Sequence, residues 1–218
     1  MIFCRQQWRL IFNWRVDIMS KVIILNAPPS SGKDVAADWI VEKFDAQHLR
    51  FKDQLYRVAA RVAGIPLTRM VTLSSDREYK EKECRFFRVG GKFVSPRQWL
   101  IHCSEDVVKP LLGKEFFGKS LADSIEKDLV IVSDGGFPEE LNPVLDAGHD
   151  VYVLRIEREG YTFDGDSRNY FDVSPAYQIV LIENNGTLEQ FKNKILNTVD
   201  SILGNTSVST NTGVSGVI

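Results

Sequence analysis

The sequence predicts an α/β fold, a three-layer α/β/α sandwich around a mainly parallel five-stranded sheet, and three observations predict it. Short, continuous apolar runs recur along the chain, as strands buried on both faces require. Amphipathic stretches at helical spacing separate them, the alternation that puts helices on both sides of a parallel sheet. The first run, Val22 to Leu25, stops abruptly at Asn26-Ala27-Pro28-Pro29-Ser30-Ser31-Gly32-Lys33, small residues between a strand and a helix. Such a junction converges backbone N–H groups and a helix N-terminus on one point, where anions are favoured.

Residues 1–18 precede this unit. They mix Arg5, Arg9 and Arg15 with Trp8, Phe12 and Trp14, and read as an appendage or a misassigned start, because Met19-Ser20-Lys21 leads directly into the first strand. After the loop, Val35, Ala36, Trp39, Ile40 and Phe44 give the first helix an apolar face. His48 to Phe51 reads as a second strand, with Asp53 capping a helix to about Ala63. Residues 67–83 are strongly charged and predict a solvated helix or mobile segment. Cys84 to Val94 reads as a hairpin around Gly90-Gly91. Ser95-Pro96 opens a helix with Ser as cap and Pro in the first turn.

A further helix is expected over Lys114 to Lys127. Leu129 to Ser133 is the third strand, ending at Asp134-Gly135-Gly136-Phe137-Pro138. Asp150 to Ile156 is the fourth strand and Gln178 to Ile182 the fifth, and an amphipathic helix from Leu188 to Ile202 closes the domain. From residue 204 the chain is Ser, Thr, Asn and Gly with few large side chains, the composition of a disordered tail.

At 218 residues and 44% hydrophobic, the chain suits one domain with a real core. A net charge of −2 argues against nucleic acid held on a broadly basic surface. No run reaches the about 20 apolar residues of a membrane helix. Cys4, Cys84 and Cys103 have neither metal nor disulfide spacing, which suits a reducing compartment such as the cytoplasm.

In an open parallel sheet, ligands collect at the carboxyl ends of the strands. Those ends carry Lys33, then Lys52 and Arg57, then Asp134, then Arg155 and Arg158. Lys33 offers a full positive charge to phosphate oxygens. Asp134 stands where a phosphate-loop enzyme holds Mg²⁺ directly or through water, and otherwise would cap the helix that follows it. Arg158 and Arg168 flank a Gly- and Asp-containing stretch able to close as a lid.

Ala27 to Asp34 resembles the adenylate kinase loop GPPGAGKG. Ser31-Gly32-Lys33-Asp34-Val35-Ala36-Ala37-Asp38 resembles more closely the SGKDT-A-D loops of phage deoxynucleoside monophosphate kinases. Phe51-Lys52-Asp53-Gln54-Leu55, Ser95-Pro96-Arg97-Gln98-Trp99-Leu100 and Ser133 to Glu140 are similar to further segments of that family, the last to S-D-x-R-F-P-x-E. The resemblance runs from about Lys21 to Ile202. It implies a P-loop kinase domain over residues 19–203, with an acceptor-binding insertion at about 53–113 and a lid at about 157–172.

The implied reaction transfers the γ-phosphoryl group of ATP, with Mg²⁺, to a deoxynucleoside monophosphate in a bacterial host cytoplasm. The resemblance places ATP on Ala27, Pro28, Ser30, Ser31, Gly32, Lys33, Asp34 and Val35, and Mg²⁺ near Asp34 and Asp134. It gives Lys33, Asp134, Arg158 and Arg168 to the transfer, and Lys52, Arg57, Arg88, Arg97, Trp99 and Phe137 to the acceptor. Three departures stand out. Ala27 replaces a loop glycine, Asp34 replaces a hydroxyl residue, and Gly136 replaces the arginine of R-F-P, so that another arginine must take over or the acceptor has changed. A kinase for another small acceptor (dephospho-coenzyme A or a sugar acid) and a non-catalytic ATP-binding module are the alternatives. A role for residues 1–18 on membranes or nucleic acid is a third. The accepted base and the oligomeric state stay open, a homodimer included.

Overall fold

The computed structural model describes residues 19–76, 78–166 and 168–204, so the expectations for residues 1–18 and for most of the tail lie outside the described residues. Five strands form one sheet in the order β2-β5-β1-β6-β7. They are β1 (Lys21–Asn26), β2 (Gln47–Leu49), β5 (Leu129–Val132), β6 (Asp150–Glu157) and β7 (Gln178–Glu183). Every pairing among them is parallel, with Ile23 of β1 in register with Ile131 on one side and Tyr152 on the other. The chain first builds out from β1 toward β2 and β5, then crosses to β6, so β1 sits where the direction of building reverses.

Alternation along the central strands divides the core. Ile23, Leu25, Ile131 and Leu154 face α1 (Lys33–Phe44) and α8 (Leu188–Leu203). Val22, Ile24, Val130 and Val153 face the other way, toward α6 (Phe116–Asp123) and α7 (Pro138–Asp146). Each such side chain, fully removed from water, contributes about 1.5–3 kcal/mol. A third cluster lies apart from the sheet, built on α2 (Phe51–Ala63), α3 (Leu67–Ser75), the antiparallel pair β3 (Cys84–Val89) and β4 (Lys92–Val94), and α4 (Pro96–Ile101). Its centre is Tyr56, Met70, Phe87 and Trp99.

Two expectations are corrected. Phe51 begins a helix instead of ending a strand, because its ring is buried against the sheet from the first turn of α2. Asp53 is no cap: Arg50 holds that position, and Asp53 pairs with its guanidinium at 2.8 Å. Of residues 67–83, Leu67–Ser75 form α3 with Met70 fully buried in the third cluster, and Tyr79–Glu81 make a short 3-10 turn. The expected cap at Ser95 forms a reciprocal box with Gln98, and Thr187 forms another with Gln190.

After α4 the helix does not stop but widens. Residues His102–Val108 form a π-helix, which runs into the short α5 (Lys109–Leu112). Such insertions re-aim side chains and recur at functional sites.

Candidate functional site

The loop after β1 is shaped by backbone that few residues tolerate. Ser30 has φ 64° and Gly32 φ 97°. A Cβ at Gly32 would stand 2.9 Å from both the Asn184 amide and the Phe191 ring, so only glycine lets the loop lie this close to β7 and α8. Asn184 donates to the Ser31 carbonyl at 2.9 Å, and Arg158 to the Ser30 carbonyl at 3.1 Å. No side chain caps the N-terminus of α1, which leaves its first N–H groups for an anion. The Ser31 hydroxyl is buried with no partner.

Two clefts matter here, and Lys33 lines the first. The first, of about 390 Å³, is bounded by Ser30, Gly32, Asp34, Val35, Arg158 and Asn184. The second, of about 330 Å³, is walled by Lys52, Lys80, Lys109 and Arg168, with Phe51, Tyr56 and Phe137 as apolar surfaces. Burial lowers the Lys33 pKa, Asp34 opposes this, and the positive charges of Arg168 and Lys52 lower it further. Three cations, Lys33, Lys52 and Arg168, therefore feel one another, a cluster that is costly without an anion.

Asp134 ends β5 and is 8% exposed. It caps neither its own following helix nor open water: its carboxylate accepts from the backbone N–H groups of Phe51 at 2.9 Å and Lys52 at 3.2 Å. It is thus the N-terminal anchor of α2, supplied from 82 positions away. Burial raises its pKa, while the Lys52 charge and these two bonds work against the rise.

Across the clefts lies the segment after β6. Arg168 forms a bidentate pair with Asp166, Nε to Oδ1 at 3.0 Å and Nη2 to Oδ2 at 2.7 Å. Burial works against it, but those bonds hold Asp166 down at about 2. The aliphatic stem of Arg168 crosses Gly136 so closely that a Cβ there would stand 2.7 Å from the Arg168 Cβ. Gly136 is therefore covered by Arg168, which arrives from the segment after β6. Asn26, fully buried at the end of β1, secures the base of this segment. Its amide donates to the carbonyls of Gly135 and Asn169, and its oxygen accepts from Phe171 N.

The π-helix presents Ser104 and Glu105 to the second cleft. Glu105 holds Lys109 at 2.8 Å, and Lys109 lies over the Phe137 ring at 5.2 Å. Glu140, from the first turn of α7, lines the same cleft at 7% exposure. Burial, then the nearby Asp134 charge, pushes its carboxyl up to about 8.

Of the residues expected from the sequence, Ser30, Gly32, Lys33, Asp34, Val35 and Arg158 come together in the first cleft. Ala27 and Pro28 are buried beneath it. Lys52, Asp134, Phe137 and Arg168 meet in the second. Four acceptor residues do not line it. Trp99 is core: it stacks on Phe87 with centroids 5.5 Å apart and donates to the Ala59 carbonyl. Arg57 points from the far face of α2 into two other clefts. Arg88 lies over Phe93 on the exposed hairpin. Arg97 pairs with Glu81 at 3.4 Å, and its charge acts on Asp166. The residues missed were Lys80, Lys109, Ser74, Glu140, Asn26 and Asn184. Among the described residues, no cluster of three or more metal-ligating side chains forms, and no helix is long and apolar enough to cross a membrane.

No protein-family model matches the chain, and no curated protein matches it. Solved structures do. A sugar kinase from Janibacter sp. HTCC2649 is 11% identical, covering 84% of this chain and 95% of its own at a TM-score of 0.44. A gluconokinase from Sinorhizobium meliloti 1021 is 13% identical over 86% of this chain and 95% of its own, at 0.42. Dephospho-CoA kinase from Campylobacter jejuni is 12% identical over 85% of this chain and all of its own, at 0.44. Superposition at this level bears on no residue of the site.

Proposed function

We propose that the chain is an ATP-dependent kinase that transfers the γ-phosphoryl group to a nucleoside monophosphate, a deoxynucleotide by its resemblance, giving the diphosphate and ADP. One observation carries the reading: Lys33 lines the cleft at the phosphate loop, and the charges of Lys52 and Arg168, which wall the other cleft, act on its ammonium. One cleft has the open helix N-terminus and strained loop that suit a triphosphate. The other has apolar walls and four cations that suit a planar group bearing one phosphate.

The loop fits ATP on its own geometry. The unpartnered Ser31 hydroxyl and the free N–H groups of α1 are donors for phosphate oxygens, and Gly32 admits them without a side chain. Bound Mg²⁺ would neutralise phosphate charge, with exposed Asp34 and, through water, Asp134 as the nearest carboxylates. Arg158, at the loop's outer side, steadies the donor. Arg168 and Lys52 balance charge on the group in transit and on the acceptor phosphate. That acceptor phosphate is already an anionic nucleophile, so no general base is required and positioning supplies most of the rate. The free thiols of Cys84 and Cys103 suit work in a reducing cytoplasm.

The test is ADP formation from ATP·Mg²⁺ with a panel of ribo- and deoxynucleoside monophosphates, beside dephospho-coenzyme A and gluconate. Turnover that depends on a nucleoside monophosphate and falls at least about 100-fold in Lys33→Ala supports the reading. Turnover confined to one of the other acceptors reassigns the substrate. ATP binding without turnover on any acceptor leaves only a binding module.

A further inference from the structure

The wall of the second cleft carries two polar groups that a ligand could pair. Glu140, 7% exposed, lines it, and no side-chain hydrogen bond ties its carboxyl to the described residues. The Ser74 hydroxyl is buried without a partner on the same cleft. Buried polar groups are paired in folded proteins nearly without exception, and an orphan costs the full desolvation of the group. Neither position needs such a residue for packing, since apolar isosteres would fill the same space more favourably. A partnerless hydroxyl and a cleft-lining carboxyl on one cavity call for a single explanation, and a ligand that pairs both is the simplest.

We propose that Glu140 and Ser74 are the specificity-determining residues of the acceptor site, pairing the hydrogen-bonding edge of the acceptor's nucleobase. The proposal rests on the kinase reading above and deepens it. The surrounding chemistry divides the labour. Lys52 and Arg168 lie on the Lys33 side, where the phosphate belongs, and Phe137 and Tyr56 offer flat apolar surface for the ring. Glu140 and Ser74 bring hydrogen-bonding groups to the same wall for the polar edge. A carboxylic acid that keeps its proton both donates and accepts, so it complements any base edge with one N–H beside one lone pair. The same carboxyl, once ionised, only accepts. The charges that act on it are Asp134 at the end of β5, Glu139 on its own helix, Lys109 from α5 and Arg168 from the lid.

The test compares the full-length chain with Glu140→Gln, Glu140→Leu and Ser74→Ala. The readouts are KM and kcat for each nucleoside monophosphate and for deoxyribose 5-phosphate, which lacks a base. Calorimetric binding of the same compounds without ATP is a parallel readout, and unfolding midpoints confirm folding. Expected are an increase in KM of about tenfold or more for Glu140→Leu and a smaller one for Ser74→Ala, with kcat nearly unchanged. Glu140→Gln, which also donates and accepts, should keep most of the affinity. KM for the parent should also climb above about pH 8, a climb absent in Glu140→Gln.

Loss confined to nucleotides, with the abasic phosphate unaffected, assigns the pair to the base. An equal loss for both compounds moves the contact to a sugar hydroxyl and overturns the base assignment. Folded Glu140→Leu with unchanged KM on every acceptor overturns the proposal while leaving the kinase intact. A parent that binds and turns over no nucleoside monophosphate removes both readings together.

Discussion

At Gly136 the missing side chain is a requirement, because the stem of Arg168 occupies the space a Cβ would need. The atom in the way is the Arg168 Cβ, which cannot swing aside without moving backbone. Gly136→Ala should therefore displace Arg168 and lower turnover about as much as Arg168→Ala does. The double variant should be no worse than either, since both remove one arrangement. Steady-state rates of the three proteins check this. Glu140 makes a second prediction, about stability. Its carboxyl titrates near 8 when folded and near 4.5 otherwise. The folded chain thus holds a proton that the unfolded chain has released, and the penalty grows as pH rises from about 4.5 to about 8. Glu140→Gln should stabilise the protein by roughly 1–3 kcal/mol at pH 7, the amide keeping part of the desolvation cost. The gain should vanish near pH 4, as urea titrations at the two pH values would show.

Among elements, α2 is the one whose position depends on another. Its first two N–H groups end on Asp134, so a residue that lines the second cleft also holds the helix that carries Lys52 and Tyr56. Asp134→Ala should cost about 1–2 kcal/mol, the usual value of a lost cap, and raise acceptor KM through Lys52. Denaturant unfolding and acceptor kinetics separate the two effects. This dependence also marks where the sequence could be read and where it could not. Buried strands announce themselves as Val- and Ile-rich runs, and the loop at Gly32-Lys33 announces itself by its small residues. The start of α2 was misplaced because its cap comes from β5, and no local signal encodes a tertiary cap. Lys80 looked like one more charge in a solvated run. Lys109 and Glu105 reach the cleft only because the π-helix changes the register, and no periodicity of 3.6 residues foretells that. Trp99 erred in the opposite direction: an aromatic near a helix start reads equally as ligand surface or as core, and Phe87 decides it.

At the scale of the molecule, the sheet with its two helical layers and the third cluster around Tyr56, Met70 and Phe87 are distinct packed bodies bordering one cleft. A ligand bridging them should draw them together. Hydrogen exchange in α3 and in residues 102–108 should slow when a nucleoside monophosphate is added, whereas ATP alone should protect mainly α1 and the loop before it. Equal protection of both regions by ATP alone would mean that the two bodies move as one.

The segment from Arg158 to Phe171 is fastened independently at its two ends: Arg158 to the Ser30 carbonyl, Asn169 and Phe171 to Asn26. Its length is consequently free. Tyr161 stays with Arg158 and Phe163 packs edge-on against Tyr170, so a few glycines or serines spliced between Tyr161 and Thr162 should leave the fold intact. Even doubling the span costs only about 0.6 kcal/mol of closure entropy. One asparagine at the end of the first strand thereby makes this stretch a place where the chain can gain length, tags or new contacts without renegotiating the rest of the structure.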